Sequence, residues 1–306
     1  MTHSKDFEVI IIGGSYAGLS AAMALGRSLR KVLIIDSGEP CNSQTPYSHN
    51  FITQDGETPA AIAAKAKEQV LKYDTITFHK GWVREGNRVN DGFEIITGDD
   101  ERFYAGKLLF ATGLTDSLFP VEGFSECWGI SVLHCPYCHG YEVKGEKTGI
   151  FANGDMAFEF AKLISNWTNN LTVFTQGKST LKEEQHRALR QLGTTVVEKE
   201  ILRFVQNEGK VSRLEFADGS KQEISALYAR PPLSQHCPVP ELLGCELTET
   251  GFIKVDNLQR TTVPGVYAAG DNSSPMRAVS AAVAAGTMAG AALNAAIIEE
   301  RFSAVL

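Results

Sequence analysis

The segment that most constrains this chain lies at its start. Four aliphatic residues, Val9–Ile12, stop at the turn Gly13, Gly14, Ser15, Tyr16, Ala17 and Gly18; a helix-forming run, Leu19–Leu29, follows, and Lys31–Asp36 is a second strand-like run. Short apolar runs that end in glycine read as fully buried strands, and buried strands joined through a helix run parallel. Gly13 permits the tight turn, Gly18 permits close packing of the helix, and the amides at the helix start favour an anion. Asp36 lies 18 positions after Gly18 at the end of the second strand, where a carboxylate accepts from ribose hydroxyls. Ser15 stands where a second Gly is usual, and it is small enough for a phosphate to approach. The segment therefore reads as a dinucleotide-binding βαβ unit, and Gly14 and Ala17 belong to its turn.

A second unit of the same kind begins about 140 residues later. Thr148–Ala152 is strand-like, Asn153, Gly154 and Asp155 form a turn, Met156–Trp167 is helical, and Leu171–Thr175 is the next strand. Here Ala152, Asn153, Gly154, Asp155, Met156 and Ala157 stand where glycines are expected. The position 18 residues beyond Ala157 is Thr175, followed by Gln176 and Gly177. Neither the acid that grips a ribose 2′-hydroxyl nor an Arg for a 2′-phosphate is present, yet the unit still reads as a nicotinamide nucleotide site with Asn153, Gly154 and Asp155 as its candidate binding residues. Between the units, a polar loop with Pro40 and Pro46 precedes a helix starting at Thr58-Pro59, and residues 75 to 110 form a set of strands closing on Lys107–Gly113. Beyond them, Val211–Phe216 and Asp218-Gly219 predict a hairpin. Arg230–Pro240 reads as a linker, Gly251–Asp256 as a strand, Gly265–Asp271 as a strand and turn, and Ala278–Ile298 as a packed Ala-rich helix.

With 306 residues, 43% apolar and 21% charged, the chain has globular composition and room for about two domains. Its net charge of -7, from 29 basic and 36 acidic residues, supplies no broad basic surface for nucleic acid. The N-terminus, with His3, Lys5 and Asp6, does not resemble a signal peptide, and no stretch reads as long and apolar enough to cross a membrane. A cytoplasmic, reducing location is the expectation. Of six cysteines only Cys135 and Cys138 are closely spaced; Cys41, Cys127, Cys237 and Cys245 read as small apolar core residues.

The run His134, Cys135, Pro136, Tyr137, Cys138, His139, Gly140, Tyr141, Glu142 carries the most specific chemistry. Two thiols with two residues between them can close a small disulfide ring, commonly with one sulfur of lowered pKa. His139 is a candidate to deprotonate a substrate thiol or protonate a leaving thiolate. Glu142 either orients His139 or sits in solvent. The competing readings are a zinc half-site drawing on His134 and His139, and a structural pair of thiols. No second CxxC or HxxxH completes four ligands, so no metal is assigned.

Together these residues resemble the low-molecular-weight thioredoxin reductases and their FAD-dependent pyridine nucleotide-disulfide oxidoreductase relatives, over nearly the whole chain and in the same motif order. The resemblance implies an α/β fold of two Rossmann-like (three-layer ββα) nucleotide-binding domains, the second inserted into the first. A discontinuous FAD-binding domain would take residues 1–116 and 244–306. An NAD(P)-binding-like domain carrying the CxxC would take 117–243, with hinges near 115–120 and 240–246. It assigns Ala111, Thr112 and Gly113 to the end of the first FAD segment. Gly270 and Asp271 fall on the return segment, with Asp271 at the ribityl and phosphate region, and Arg277 with Ala278 near the flavin. It further implies that Cys138 faces the flavin and Cys135 performs exchange, and that NADPH or NADH is the electron donor. Partners would be a thioredoxin-like protein or a small-molecule disulfide, and the assembly a homodimer. His139 replaces the acid usual after the second Cys. The CxxCHGxE pattern is closer to the branch that includes dithiol oxidases of small natural products such as gliotoxin and holomycin. Thr175, Gln176 and Gly177 replace the family's His-Arg-Arg segment for NADPH. Two electron flows are thus expected: from NAD(P)H through FAD and the cysteines to a disulfide, or from a small dithiol through the cysteines and FAD to oxygen. A flavin-binding redox sensor without turnover is the non-enzymatic alternative.

Overall fold

The computed structural model describes residues Phe7 to Val305; residues 1–6, on which the signal-peptide expectation rests, and residue 306 lie outside them. The chain divides into two compact units. The first comprises the residues up to Ser43, Pro59–Thr115 and those from Leu233 on; the second comprises Gln44–Thr58 and Asp116–Pro232.

The first unit opens with β1 (Phe7–Ile12), α1 (Tyr16–Arg27), β2 (Val32–Asp36), α2 (Pro59–Val70), β3 (Ile76–Lys80), β4 (Val83–Val89), β5 (Gly92–Thr97), β6 (Arg102–Phe110) and β7 (Leu114–Asp116). In the second unit follow α3 (Phe124–Cys127), β8 (Val132–Leu133), α4 (Pro136–His139), β9 (Thr148–Phe151), α5 (Gly154–Ile164) and β10 (Leu171–Phe174). It continues with α6 (Glu183–Gln191), β11 (Thr195–Val197), β12 (Ile201–Asn207), β13 (Lys210–Phe216), β14 (Lys221–Glu223) and β15 (Ala226–Ala229). The chain returns to the first unit with β16 (Leu233–Gln235), α7 (Val239–Leu242), β17 (Val266–Ala268) and α8 (Val279–Ser303).

In the first unit the sheet order is β3-β2-β1-β6-β5-β4, with β17 also on β6. β6 changes partners along its length. On one side Ala105–Phe110 pair parallel with β1; on the other Arg102–Ala105 pair antiparallel with β5 and Leu108–Phe110 parallel with β17. One long strand thus feeds both a parallel sheet and an antiparallel meander. Side chains alternate between faces along each strand. Val9, Ile11, Val32 and Ile34 accordingly join the core beneath α1 and α8, whereas Ile10, Ile12, Leu33 and Ile35 join the core shared with the meander.

The second unit repeats the plan with its own cores. Its five-stranded sheet, β11-β10-β9-β15-β8, is parallel throughout, and β12, β13 and β14 form a separate antiparallel sheet. Phe151, Phe174 and Leu227 point to the core containing β12 and β13 residues; Ile150, Val173 and Tyr228 point to the core containing Phe160 and Ile164 of α5. Both units therefore have the ββα layering expected.

Three boundaries differ from the sequence reading. The chain re-enters the first unit at Leu233 rather than 244, because β16 pairs with β7 and because Cys237, Val239 and Cys245 are buried in the first unit's core. That places α7 within a core and removes 240–246 as a hinge; the crossings lie at Thr115/Asp116 and Pro232/Leu233, where Ser117 N donates to Pro232 O (2.8 Å). Gln44–Thr58 packs with the second unit instead of the first. Gly251–Asp256 is not a strand: Ile253 and Val255 make only isolated bridges, and the Ile253 amide is taken by Asn272 O.

The expectation about membrane-spanning length also needs correction, since α8, at 25 residues, is long and apolar enough by length and composition. Its packing explains that composition. Gly286 and Gly290 of α8 lie directly on Ala17 and Ala21 of α1, and Ala289, Ala292 and Leu293 join the same core.

Candidate active site

The CxxC lies where β8 gives way to α4. Cys135 has extended backbone and precedes the single helical turn Pro136–His139, with Pro136 at its first position, where the missing amide costs nothing. The turn brings the cysteine Cα atoms to 5.3 Å, and the two sulfurs are bonded to each other as a disulfide. Pro136 is buried, and Gly140 N donates to Pro136 O (2.7 Å). Tyr137 stands edge-on to Trp167 with centroids 5.6 Å apart, which anchors the turn to the residues following α5.

His139 is the last residue of this turn, next to Cys138. Burial first, and then the neighbouring His49, hold its ring below the ordinary histidine range, while Glu142 pulls the other way. The rings of His49 and His139 meet edge-on at 6.2 Å. Glu142 Oε1 lies 3.6 Å from His49 Nε2, so its closest ion pair is with His49. His139, His49 and Glu142 open on a cavity of about 730 Å³ within the second unit, whose walls include Tyr47, Ile130, Lys147 and Lys210. His49 escaped the sequence reading because it lies about 90 residues before His139, in a loop that carries no motif. His134 packs against Trp128.

In the first unit, the sequence-selected turn residues converge on the carboxyl ends of the parallel strands, where open α/β sheets bind ligands. Gly13 has φ of 102°, and a Cβ there would overlap the carbonyl oxygen of Ala111. A Cβ on Gly18 would overlap the carbonyl of Gly13, so the turn exists only with glycine at both places. Ser15 caps α1 without a side-chain hydrogen bond, which leaves the first amides of a 12-residue helix uncapped by that side chain. Gly14 N donates to Asp36 Oδ1 (2.8 Å), which fixes this carboxylate beside the turn. Ala111, Thr112 and Gly113 follow β6, and Gly270 and Asp271 follow β17 on the same edge. Arg277 Nε lies 3.4 Å from Asp271 Oδ2, with Ala278 next in sequence as the N-cap of α8. Asn272 is fully buried; its amide donates to Phe110 O (2.9 Å), while its Oδ1 has no partner. An uncapped helix N-terminus, a tethered acid and an orphaned buried oxygen suit a dinucleotide with hydroxyl and phosphate groups.

The second turn is built differently. Asn153 caps α5, its Oδ1 accepting from Gly154 N and Thr180 N (both 2.8 Å). Its Nδ2 donates to Thr175 O (3.2 Å) and Lys178 O (2.9 Å). Asp155 is taken by Gln185 Nε2 (2.7 Å) and lies 3.4 Å from Lys182 Nζ. Gln176 holds the Ile201 backbone at both its amide and its carbonyl. The polar side chains at this turn thus bind their own chain.

The remaining cysteines divide. Cys127, Cys237 and Cys245 are buried, and burial pushes each thiol up, as expected of small core residues. Cys41 is exposed, which the sequence reading did not anticipate.

Residues 7–286 match the family of pyridine nucleotide-disulphide oxidoreductases. The chain is 33% identical to thioredoxin reductase tcpT of Claviceps purpurea, over 95% of this chain and 94% of the relative. It is 30% identical to thioredoxin reductase sirT of Leptosphaeria maculans, over 94% and 93%. Among solved structures, an oxidoreductase from Agrobacterium tumefaciens superposes with a TM-score of 0.90 at 38% identity, covering 96% of this chain and 99% of that one. Proteins of this kind are FAD-dependent and draw on NADPH as reductant. The paired ββα units, the nucleotide turn of the first and the cysteine pair of the second are what such an enzyme requires, and the chain belongs to the pyridine nucleotide-disulphide oxidoreductases as a thioredoxin reductase-like oxidoreductase.

Proposed function

We propose that the chain oxidises a small dithiol at Cys135–Cys138 and passes the electrons through FAD to oxygen. The observation that carries this reading is His139, which stands beside the disulfide at the edge of a cavity and is held toward its uncharged form. A neutral imidazole there is a base for a thiol, since the thiolate is the attacking species. One substrate thiol gives its proton to His139, and the resulting thiolate attacks Cys135 Sγ. The Cys135–Cys138 bond breaks, a mixed disulfide forms, and the leaving Cys138 thiolate takes the proton from His139. The neutral ring then accepts the proton of the second substrate thiol, whose thiolate attacks the substrate sulfur of the mixed disulfide; the cyclised product leaves and the Cys135 thiolate takes that proton. The substrate loses two electrons and two protons, and the cysteines end as thiols. When bound, FAD supplies two-electron acceptance from the cysteine pair through Cys138 and delivery of those electrons to oxygen as hydrogen peroxide.

In this reading Gly13, Gly14, Ser15, Ala17 and Gly18 hold the FAD pyrophosphate and Asp36 the ribose. Ala111, Thr112, Gly113, Gly270, Asp271, Arg277 and Ala278 complete the site. Asn153, Gly154 and Asp155 serve the fold of the second unit.

A second reading runs electrons from NADPH or NADH through FAD and the cysteines to the disulfide of a thioredoxin-like protein or small molecule. The thioredoxin reductase names of the relatives favour it. Both readings place the enzyme in the cytoplasm as a homodimer. Anaerobic titration of the purified flavoprotein separates them. Bleaching of the flavin by a small dithiol such as dithiothreitol, with none by NADPH or NADH at micromolar concentration, is the expected result. Bleaching by either nucleotide overturns it in favour of the reductase, and a flavin that no donor reduces points to a sensor.

A further inference from the structure

Gln44–Thr58 interrupts the first unit in sequence but belongs to the second in space. It is a closed loop: Ser48 N donates to Glu57 O (2.8 Å), Gly56 N donates to Ser48 O (2.9 Å), and Asn50 N donates to Asp55 Oδ1 (2.8 Å). This closure presents Pro46, Tyr47 and His49 as one wall of the cavity. A carboxylate faces each ring nitrogen of His49, Asp55 Oδ1 at Nδ1 and Glu142 Oε1 at Nε2, both at 3.6 Å. The carboxylate nearest the catalytic turn is therefore drawn to His49.

We propose that His49 is a positioning residue for the thiol chemistry: braced between Asp55 and Glu142, it holds the Glu142 carboxylate at its own ring and away from His139, the histidine beside the disulfide. The inference rests on the reading of His139 as the base of dithiol oxidation. The charged groups around His139 are few enough to weigh. From the loop come His49 and Asp55; from the stretch after α4 come Glu142, Glu146 and Lys147. β13 contributes Lys210 and β14 contributes Glu223, both on the cavity wall, and the phenol of Tyr228 on β15 lies within the field of Glu142. Among these, His49 and Glu142 are the two that act on the His139 ring, in opposite directions. A pair of groups with opposing influence on one ring is a means of setting when that ring accepts a proton.

The test is histidine NMR on the FAD-loaded protein with ¹³C-labelled histidine, the His139→Ala variant assigning one of the seven rings. In His49→Gln, the His139 titration midpoint should rise by on the order of one pH unit. The acid limb of dithiol-driven flavin reduction should move up with it. Glu142→Gln, on a partly exposed side chain that is a safer substitution for folding, should move the midpoint down. A merely structural His49 would lower the rate and leave both midpoints in place. An unchanged His139 midpoint in either folded variant overturns the inference, as does a moved midpoint with an unmoved acid limb. If the wild-type flavin resists the dithiol altogether, the proposed function fails. The NMR midpoint then still decides whether His49 controls His139.

Discussion

Burial and His49 both favour the neutral ring of His139, and that has a signed consequence for pH. An ordinary histidine is half-protonated near pH 6.5. Because the folded midpoint lies below that value, His139 is mostly base at pH 6.5 and above, and its proton arrives only as the pH falls further. The rate of dithiol oxidation should therefore be sustained to below pH 6.5 and then decline through an acid limb, as pH-dependent stopped-flow of flavin reduction would record. His139→Gln should cost roughly 10²-fold or more in that rate and remove the limb. Linkage works in the same window. The unfolded chain takes up this proton first as the pH drops through 6.5, so the stability contributed by the neutral ring is complete above 6.5 and declines below it. The CxxC and the histidine that follows it were legible from the sequence alone. His49 was not, because proximity created by a loop folding back across the chain leaves no periodic trace in sequence.

At the scale of elements, β1 was legible because Val9–Ile12 is aliphatic on both faces and runs into Gly13. Gly251–Asp256 misled because its apolar residues are buried by isolated bridges and a bond to Asn272, without a strand ladder. The Ala-rich helix was recognised, but the reason for its small residues was not, since close helix contact is a property of two elements. α8 meets α1 through Gly286, where a Cβ would overlap the carbonyl oxygen of Ala17, and through Gly290, where it would lie 2.7 Å from that of Ala21. Even alanine at 286 must push the helices apart, and overpacking of this kind costs about 1–3 kcal/mol. Ala17 lies in the first turn of α1, so the displaced contact is the one that sets the nucleotide turn. Gly286→Ala should lower Tm and also lower the flavin-to-protein absorbance ratio of the purified protein. Gln in place of Ala284, exposed on the same helix, should change neither. Equal loss of stability in the two variants would remove the helix contact as the cause.

Among the described residues the cores fall into two sets, and each set draws on residues of one unit alone. The insertion was legible because two nucleotide-type turns stand far apart with the cysteines between them. Its edges were not, since β7 and β16 pair across more than a hundred residues and Gln44–Thr58 carries no compositional mark. Cores built this way allow two unfolding transitions, for which a single Tm is not defined. A ligand bound by one unit stabilises that unit by RT ln(1 + [L]/Kd), about 2.7 kcal/mol at a hundredfold excess over Kd. With roughly 2–4 °C per kcal/mol for domains of this size, excess FAD should raise one calorimetric transition by about 5–10 °C. Asn153→Ala removes the α5 cap and its bonds to the Thr175–Thr180 loop, a loss of about 1 kcal/mol or more. That loss belongs to the other transition, which should fall while the FAD-sensitive one stays. Because Asn153 fills the turn where a nicotinamide nucleotide would place its pyrophosphate, NADPH should leave that second transition where it is. A rise with NADPH comparable to the FAD effect would mean that the turn opens to the nucleotide, and the reductase reading would then displace dithiol oxidation.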